Sequence, residues 1–307
     1  MFPGTLKSSL AHPAESLSFA TFWLSIATII NNMQRHGVPH CGEWLIATIR
    51  VLFWIYCAGS FLVAVIMYYQ LFTTKRHMDL HNITPSWMLP IFPIMLSGTI
   101  AGTIAKDQPV AQSLNILVAG LTFQGLGLMV ATLMYAQYIA RLITRGLPDP
   151  NARPGMFIAV GPPSFTALAI IGMAQASVRV FPAYGIINGI SKPELISDYL
   201  QVIAIVMALF LWAVAFWFFC LSLIAVLQGV KHMTFHLGWW GLIFPNVGFT
   251  IATIKIGEVL GSEVVLWVGS VCTGLLGVLW VFVAFCHGKA VWDREIMWPG
   301  KDEDHDR

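Results

Sequence analysis

Prolines and hydroxyl-bearing residues share three stretches of an otherwise apolar chain. In "RPGMFIAVGPPSFTALAIIGMA" the adjacent Pro162 and Pro163 are flanked by Gly161, Ser164 and Thr166. In "SWMLPIFPIMLSGTIAGTIA" Pro90 and Pro93 precede Ser97, Gly98, Thr99 and Thr103, and in "LGWWGLIFPNVGFTIATIKIG" Pro245 precedes Asn246, Thr250 and Thr253. Proline lacks an amide donor, so a proline inside a helix frees a carbonyl in the preceding turn. At Pro162 and Pro163 the freed carbonyls fall near residues 158 and 159. Lipid offers no water to satisfy them, and broken helices at membrane depth are tolerated where they are buried in protein or line a hydrated cavity. The chemistry these residue types suit is passage of a polar solute, with freed carbonyls and the Ser164 and Thr166 hydroxyls facing the path.

Other chemistries find no support. The cysteines Cys41, Cys57, Cys220, Cys272 and Cys286 form no CxxC pair, and the nine histidines lie in loops or at span ends without ligand spacing. No nucleophile stands beside a base, so an enzyme is not expected, and no cofactor or metal is expected either. Gly125 and Gly127 in "FQGLGLM" do not open a helix after a strand, which fails the phosphate-loop reading. They suit close helix approach instead. Lys255 is the one lysine well inside a span. An intramembrane charge often marks function, but this one is placed to snorkel toward Glu258 three residues on. Arg50 has the same two readings.

The elements that carry these residues follow from composition. The 307 residues are 57% hydrophobic and 10% charged, with a mean hydropathy of +0.73. Soluble domains carry about 25% charge, and the formal charge of +2 gives no reason to expect nucleic acid. With about 20 apolar residues per crossing, eight spans are predicted: about 17–33, 43–73, 86–105, 112–143, 155–178, 196–227, 237–257 and 263–287. The second, fourth, sixth and eighth are long and free of proline; the third, fifth and seventh are broken and semi-polar. The alternation predicts an inner set around a path and an outer set facing lipid. Residues 1–16 read as a cytoplasmic linker, 17–287 as the transmembrane domain and 288–307 as a charged, disordered cytoplasmic tail.

With the N-terminus inside, Lys7, Lys75, Arg76, Arg141, Arg145, Arg153, Lys231, Lys289, Arg294, Lys301 and Arg307 fall on the cytoplasmic side. Only Arg35, Lys106, Arg179 and Lys192 fall opposite. That asymmetry sets both termini in the cytoplasm.

The stretches "RPGMFIAVGPPSFTALAIIGMA", "WMLPIFPIMLSGTIAG", "HPAESLSFATFWLSIATII" and "WWGLIFPNVGFT" resemble the fungal malic acid (C4-dicarboxylate) permeases. These belong to the tellurite-resistance/dicarboxylate transporter family, related to plant slow anion channels and fungal sulfite efflux pumps. The resemblance implies an all-α integral membrane fold of ten helices in five hairpins, with odd-numbered helices bent around a central conduit. It also implies a homotrimer in the plasma membrane and a small organic anion as substrate. Eight spans are read here, so the resemblance implies that the first hairpin of the family pattern is absent and that Met1 falls in the linker that follows it. Phe244 matches the position where relatives place an aromatic gate, which blocks by sterics and dewetting; Phe249 is a rival in the same segment.

The resulting expectation is transport of malate and related C4 dicarboxylates along a path lined by Ser97, Thr99, Gly161, Pro162, Pro163, Ser164, Thr166, Asn246, Thr250 and Lys255, gated at Phe244. Two alternatives stand beside it: sulfite or another inorganic anion in the same fold, and a truncated relative that does not transport.

Overall fold

A computed structural model describes residues 13–73, 83–184, 192 and 195–296. Most of the expected linker (1–12) and the end of the expected tail (297–307), with Lys7, Lys75, Arg76, Lys301 and Arg307, lie outside them. The described residues form eight α-helices and no strand: α1 Pro13–Asn32, α2 Glu43–Thr73, α3 Phe92–Ile104, α4 Val110–Arg145, α5 Gly161–Tyr184, α6 Ile196–Gly229, α7 Phe244–Leu260 and α8 Glu263–Trp292. Each of the eight predicted segments is occupied by helix. Seven stretches, all but that of α1, are long and apolar enough to cross a membrane, and the 20 residues of α1 reach about 30 Å at 1.5 Å per residue. The chain is a multi-pass membrane protein.

The proline-bearing segments differ from the expected bent helices in one respect. Each is two helices of different kind in series. A 3₁₀ segment over Pro85–Ile91 leads into α3, one over Pro150–Val160 into α5, and one over Leu237–Leu242 into α7. The α-helix restarts at the proline itself, as "FP", "GPP" and "FP". The first turn of an α-helix has no use for those amides and the proline φ is already helical, so proline is well tolerated there. Pro93, Pro162 and Pro245 therefore start a new helix rather than kink an old one, while Pro90 and Pro154 lie inside the 3₁₀ segments before it.

These three broken spans are also the buried ones. Of their most apolar stretches 89, 78 and 50% is buried, against 33, 33, 22 and 11% for α2, α4, α6 and α8. α8 runs five residues past the expected end of its span, through Trp292, so the start of the expected tail is helical.

Contacts divide the chain into two compact units. The first comprises the described parts of Met1–Met78, Trp87–Met134 and Phe165–Leu211. Hydrophobic attraction does not separate a helix from lipid tails, so helices in a bilayer associate through close packing at small residues. Four glycines serve this purpose here. A Cβ on Gly59 would fall 2.1 Å from the Trp23 ring, one on Gly120 2.3 Å from Ala101 Cβ, one on Gly127 2.7 Å from Met95 Cβ, and one on Gly102 3.0 Å from the Gly172 backbone. Ala64, Ile91 and Ile94 form a small core beside Tyr68, Phe123 and Val130.

The second unit comprises the described parts of Asp79–Ser86, Tyr135–Ser164 and Trp212–Arg307. Here α7 ends on Gly261 at φ 60°. Glycine takes that left-handed value without strain, and the Ser262 amide returns to the Gly257 carbonyl (3.0 Å) to close the end. Ser262 then caps α8 by accepting from the Val265 amide. The turn is short enough for α7 and α8 to lie side by side, with Leu266 against Gly257 and Ile254 against Gly269.

Candidate functional site

The prolines set a definite problem in each broken span. In 3₁₀ geometry an amide bonds the carbonyl three residues earlier, so Pro90, Pro154, Pro162 and Pro245 deprive Trp87, Asn151, Ala159 and Leu242 of that donor, and Pro163 deprives Val160 of it, where the α-helix begins. A side chain takes each one. Ser164 Oγ donates to the Val160 carbonyl (2.7 Å) and Asn246 Nδ2 to the Leu242 carbonyl (2.8 Å). Each of these donors directly follows its proline. Pro90, Pro154 and Pro162 are followed by Ile91, Gly155 and Pro163, none of which has a side-chain donor. There the donor comes from another helix or loop: Tyr68 Oη to Trp87 O (3.0 Å), Tyr135 Oη to Ala159 O (2.6 Å), and His236 Nε2 to Asn151 O. His236 Nδ1 meanwhile accepts from the Gly238 amide (3.0 Å) and so caps the segment leading to α7.

At residues 158 and 159, where freed carbonyls are expected, each oxygen has a partner. Gly161 N–H bonds the Ile158 carbonyl and Tyr135 bonds that of Ala159. Both oxygens are engaged by protein, because a buried carbonyl without a partner costs about 1–3 kcal/mol.

Within the first unit, the hydroxyl residues of α3 and α5 meet an amide from α4. Ser97, Thr99, Thr166 and Gln124 are all buried. Gln124 Nε2 donates to Thr166 Oγ1 at 2.8 Å, and Thr166 Oγ1 reaches Met95 Sδ at 3.7 Å. Gly98 makes room for this: a Cβ there would fall 2.4 Å from Gln124 Oε1, an oxygen with no hydrogen-bond partner. Thr99 bonds back to the Leu96 carbonyl at 2.8 Å, the usual way a membrane helix accommodates threonine.

Within the second unit, Gly161, Pro162, Pro163 and Ser164 are buried, as are Asn246, Thr250 and Thr253. Asn246 Oδ1 has no hydrogen-bond partner. Phe249 is held in a stack: its centroid lies 5.5 Å from Trp212, 5.5 Å from Phe219 and 6.3 Å from Phe216, with interplanar angles of 21°, 14° and 14°. Trp212 Nε1 is fixed by Thr253 Oγ1 at 2.8 Å. Phe244 opens α7 directly before Pro245 and is half-buried. Lys255 Nζ pairs with Glu258 Oε2 at 2.5 Å, as its spacing suggests. Arg50 reaches Gln108 Oε1 at 3.4 Å. Arg153 lies at the end of α6, donating to the Ala225 carbonyl at 2.9 Å, where a cation suits the negative end of the helix dipole.

Sequence reading thus found the broken spans and their hydroxyls. It missed Gln124, Tyr68, Tyr135 and Trp212, which belong to unbroken helices taken as apolar. A signal for one existed: Gln124 is an amide inside an apolar run, next to the glycines that drew attention instead. Of those, Gly127 packs on Met95 as expected of a small residue, whereas nothing lies within 4 Å of a Cβ at Gly125.

The family described as "SLAC1: Voltage-dependent anion channel" matches residues 1–287. The chain belongs to that family. Its members are channels and transporters rather than enzymes, and the match runs from the start of the chain through all three broken spans. A protein named malic acid transport protein in Schizosaccharomyces pombe is 37% identical over 306 residues, covering 99% of this chain and 68% of the relative. A second fission-yeast protein, named putative malic acid transport protein, is 36% identical over 308 residues, covering 99% and 70%. The sulfite efflux pump SSU1 of Trichophyton rubrum is 26% identical over 284 residues, covering 92% of this chain and 74% of the pump.

Proposed function

We propose that the chain carries small organic anions, first among them malate and related C4 dicarboxylates, across the plasma membrane, with both termini in the cytoplasm. The observation that carries the substrate choice is the 37% identity with a malic acid transport protein over 99% of the chain. The path residues of this reading are Ser97, Thr99, Gly161, Pro162, Pro163, Ser164, Thr166, Asn246 and Thr250. They supply hydroxyl and amide groups in a nearly uncharged setting. In this reading an anion displaces part of its hydration shell onto the second Asn246 Nδ2 proton and onto hydroxyls that turn from their backbone carbonyls as it passes, with no fixed cation deep enough to trap it, which conduction requires. Lys255, its charge balanced by Glu258, adds a weak attraction. Phe244 is the gate of this reading, supported by the capture of its rival Phe249 in the aromatic stack. A trimer with one path per subunit completes it.

Sulfite is the second substrate, favoured by the lower identity of 26% with a sulfite efflux pump. Radiolabelled malate uptake and sulfite tolerance, measured side by side in a host lacking its own carriers, separate the two. Malate uptake without added sulfite tolerance is the expected result. Sulfite tolerance without malate uptake refutes the substrate assignment.

A further inference from the structure

Five carbonyls that lie three residues before a proline in the broken spans accept from side chains, and the donors fall into two classes. Where the residue after the proline can donate, it does so: Ser164 after Pro163, Asn246 after Pro245. Where it cannot, the donor is recruited from elsewhere in the chain. For the two breaks at the proline pairs of α3 and α5 it is a tyrosine of the unbroken helix immediately before, Tyr68 of α2 for Trp87 and Tyr135 of α4 for Ala159. Burial alone does not bring a tyrosine to such a carbonyl. Tyr138, one turn along α4 from Tyr135, is as deeply buried and also packs on Phe218, yet its hydroxyl has no hydrogen-bond partner. The Tyr135 ring lies 4.8 Å from Phe218 and nearly parallel to it (24°), so its oxygen is held on the Ala159 carbonyl by packing as well as by the hydrogen bond.

Resting on the transport reading above, we propose that Tyr68 and Tyr135 are positioning residues for charge selectivity. Each keeps the oxygen created by a proline break bonded to protein, so that the break does not offer the path an exposed carbonyl. Bare carbonyl oxygens coordinate cations, and the same dipoles repel anions. A span broken by proline gains polar character at membrane depth, but its first by-product is an acceptor of the wrong polarity for an anion. The tyrosines cancel that by-product while leaving the Thr166 hydroxyl and the Asn246 amide in place. They touch no solute in this account and act only through the carbonyl.

The test uses the 307-residue chain purified into proteoliposomes, with uptake of labelled malate and of ⁸⁶Rb⁺ measured on the same vesicles for wild type, Tyr135→Phe, Tyr68→Phe and Tyr138→Phe. Each substitution deletes one oxygen and keeps the ring. The malate-to-rubidium uptake ratio should fall about tenfold in Tyr135→Phe and in Tyr68→Phe, the scale set by one buried acceptor losing its partner. Tyr138→Phe should match wild type. A merely structural role for the tyrosines lowers both fluxes together and leaves the ratio unchanged, and that result overturns the proposal. So does an equal fall in Tyr138→Phe. Tyr68→Phe carries the test at the Pro90 break if Tyr135→Phe does not yield folded protein. Wild-type vesicles that take up no malate refute the transport reading and the proposal with it, whereas malate uptake by wild type with unaltered ratios in the variants refutes the proposal alone.

Discussion

Gly125 and Gly127 stand two residues apart on α4, and substitution of each by alanine separates helix propensity from helix contact. A Cβ at Gly125 meets nothing within 4 Å. One at Gly127 would lie 2.7 Å from Met95 Cβ, 3.1 Å from Cγ and 3.2 Å from Cα. Carbon atoms rest at about 3.5–4.0 Å, so α3 and α4 must part by roughly 1 Å, since the nearest atoms belong to the root of Met95 and cannot swing aside. Overpacking of this size costs about 1–3 kcal/mol. Both alanines share the same gain in helix propensity, about 1 kcal/mol. The difference between the variants is therefore the contact term alone: Gly127→Ala should be about 1–3 kcal/mol less stable than Gly125→Ala, with wild type between them or near Gly127→Ala. Met95 sits two residues before Ser97 on α3 and touches Thr166, so Gly127→Ala should also lower malate flux while Gly125→Ala leaves it unchanged. Thermal unfolding in detergent, followed by tryptophan fluorescence, and vesicle uptake read the two effects. Equal stability of the two variants would refute the packing of α3 on α4 described above.

Further substitutions test other contacts. Phe244→Ala should raise malate flux by opening the proposed gate, whereas Phe249→Ala should lower stability by about 3–5 kcal/mol without raising flux; uptake assays and thermal melts on both variants check this. Trp212→Phe keeps the stack but removes the indole donor to Thr253 Oγ1, which still donates to the Phe249 carbonyl, and should cost about 1 kcal/mol in the same melts. His236→Ala removes both the cap on the Gly238 amide and the donor to Asn151, which should cost about 1–2 kcal/mol and increase proteolysis near residues 234–238. Lys255→Gln removes one exposed ion pair, so stability should change by no more than about 1 kcal/mol, with a modest rise in the malate concentration for half-maximal uptake.

The division into buried, broken spans and exposed, unbroken ones was legible in the sequence, because proline and hydroxyl content are local properties. Pro162 and Pro163 announce a break wherever the segment packs. The form of the break was less legible: it is a 3₁₀ segment running into an α-helix that restarts at "GPP", where a single bent helix was expected. What lay beyond reach was the fate of the freed carbonyls. Nothing in "GMFIAVGPPSF" tells that Ala159 will be met by a tyrosine 24 residues earlier, since that depends on which face of α4 turns toward the break. Tyr135 and Tyr138 look alike in sequence, and only the bond of Tyr135 to the Ala159 carbonyl distinguishes them. The two glycines of "FQGLGLM" make the same point, being identical in type and opposite in consequence.

The most direct test of the account is uptake of labelled malate by vesicles holding the purified chain and no other protein. The account predicts uptake above protein-free vesicles that excess unlabelled malate competes away and that Phe244→Ala accelerates. Vesicles that hold folded protein yet take up no more malate than empty ones, or that pass sulfite and exclude malate, contradict it.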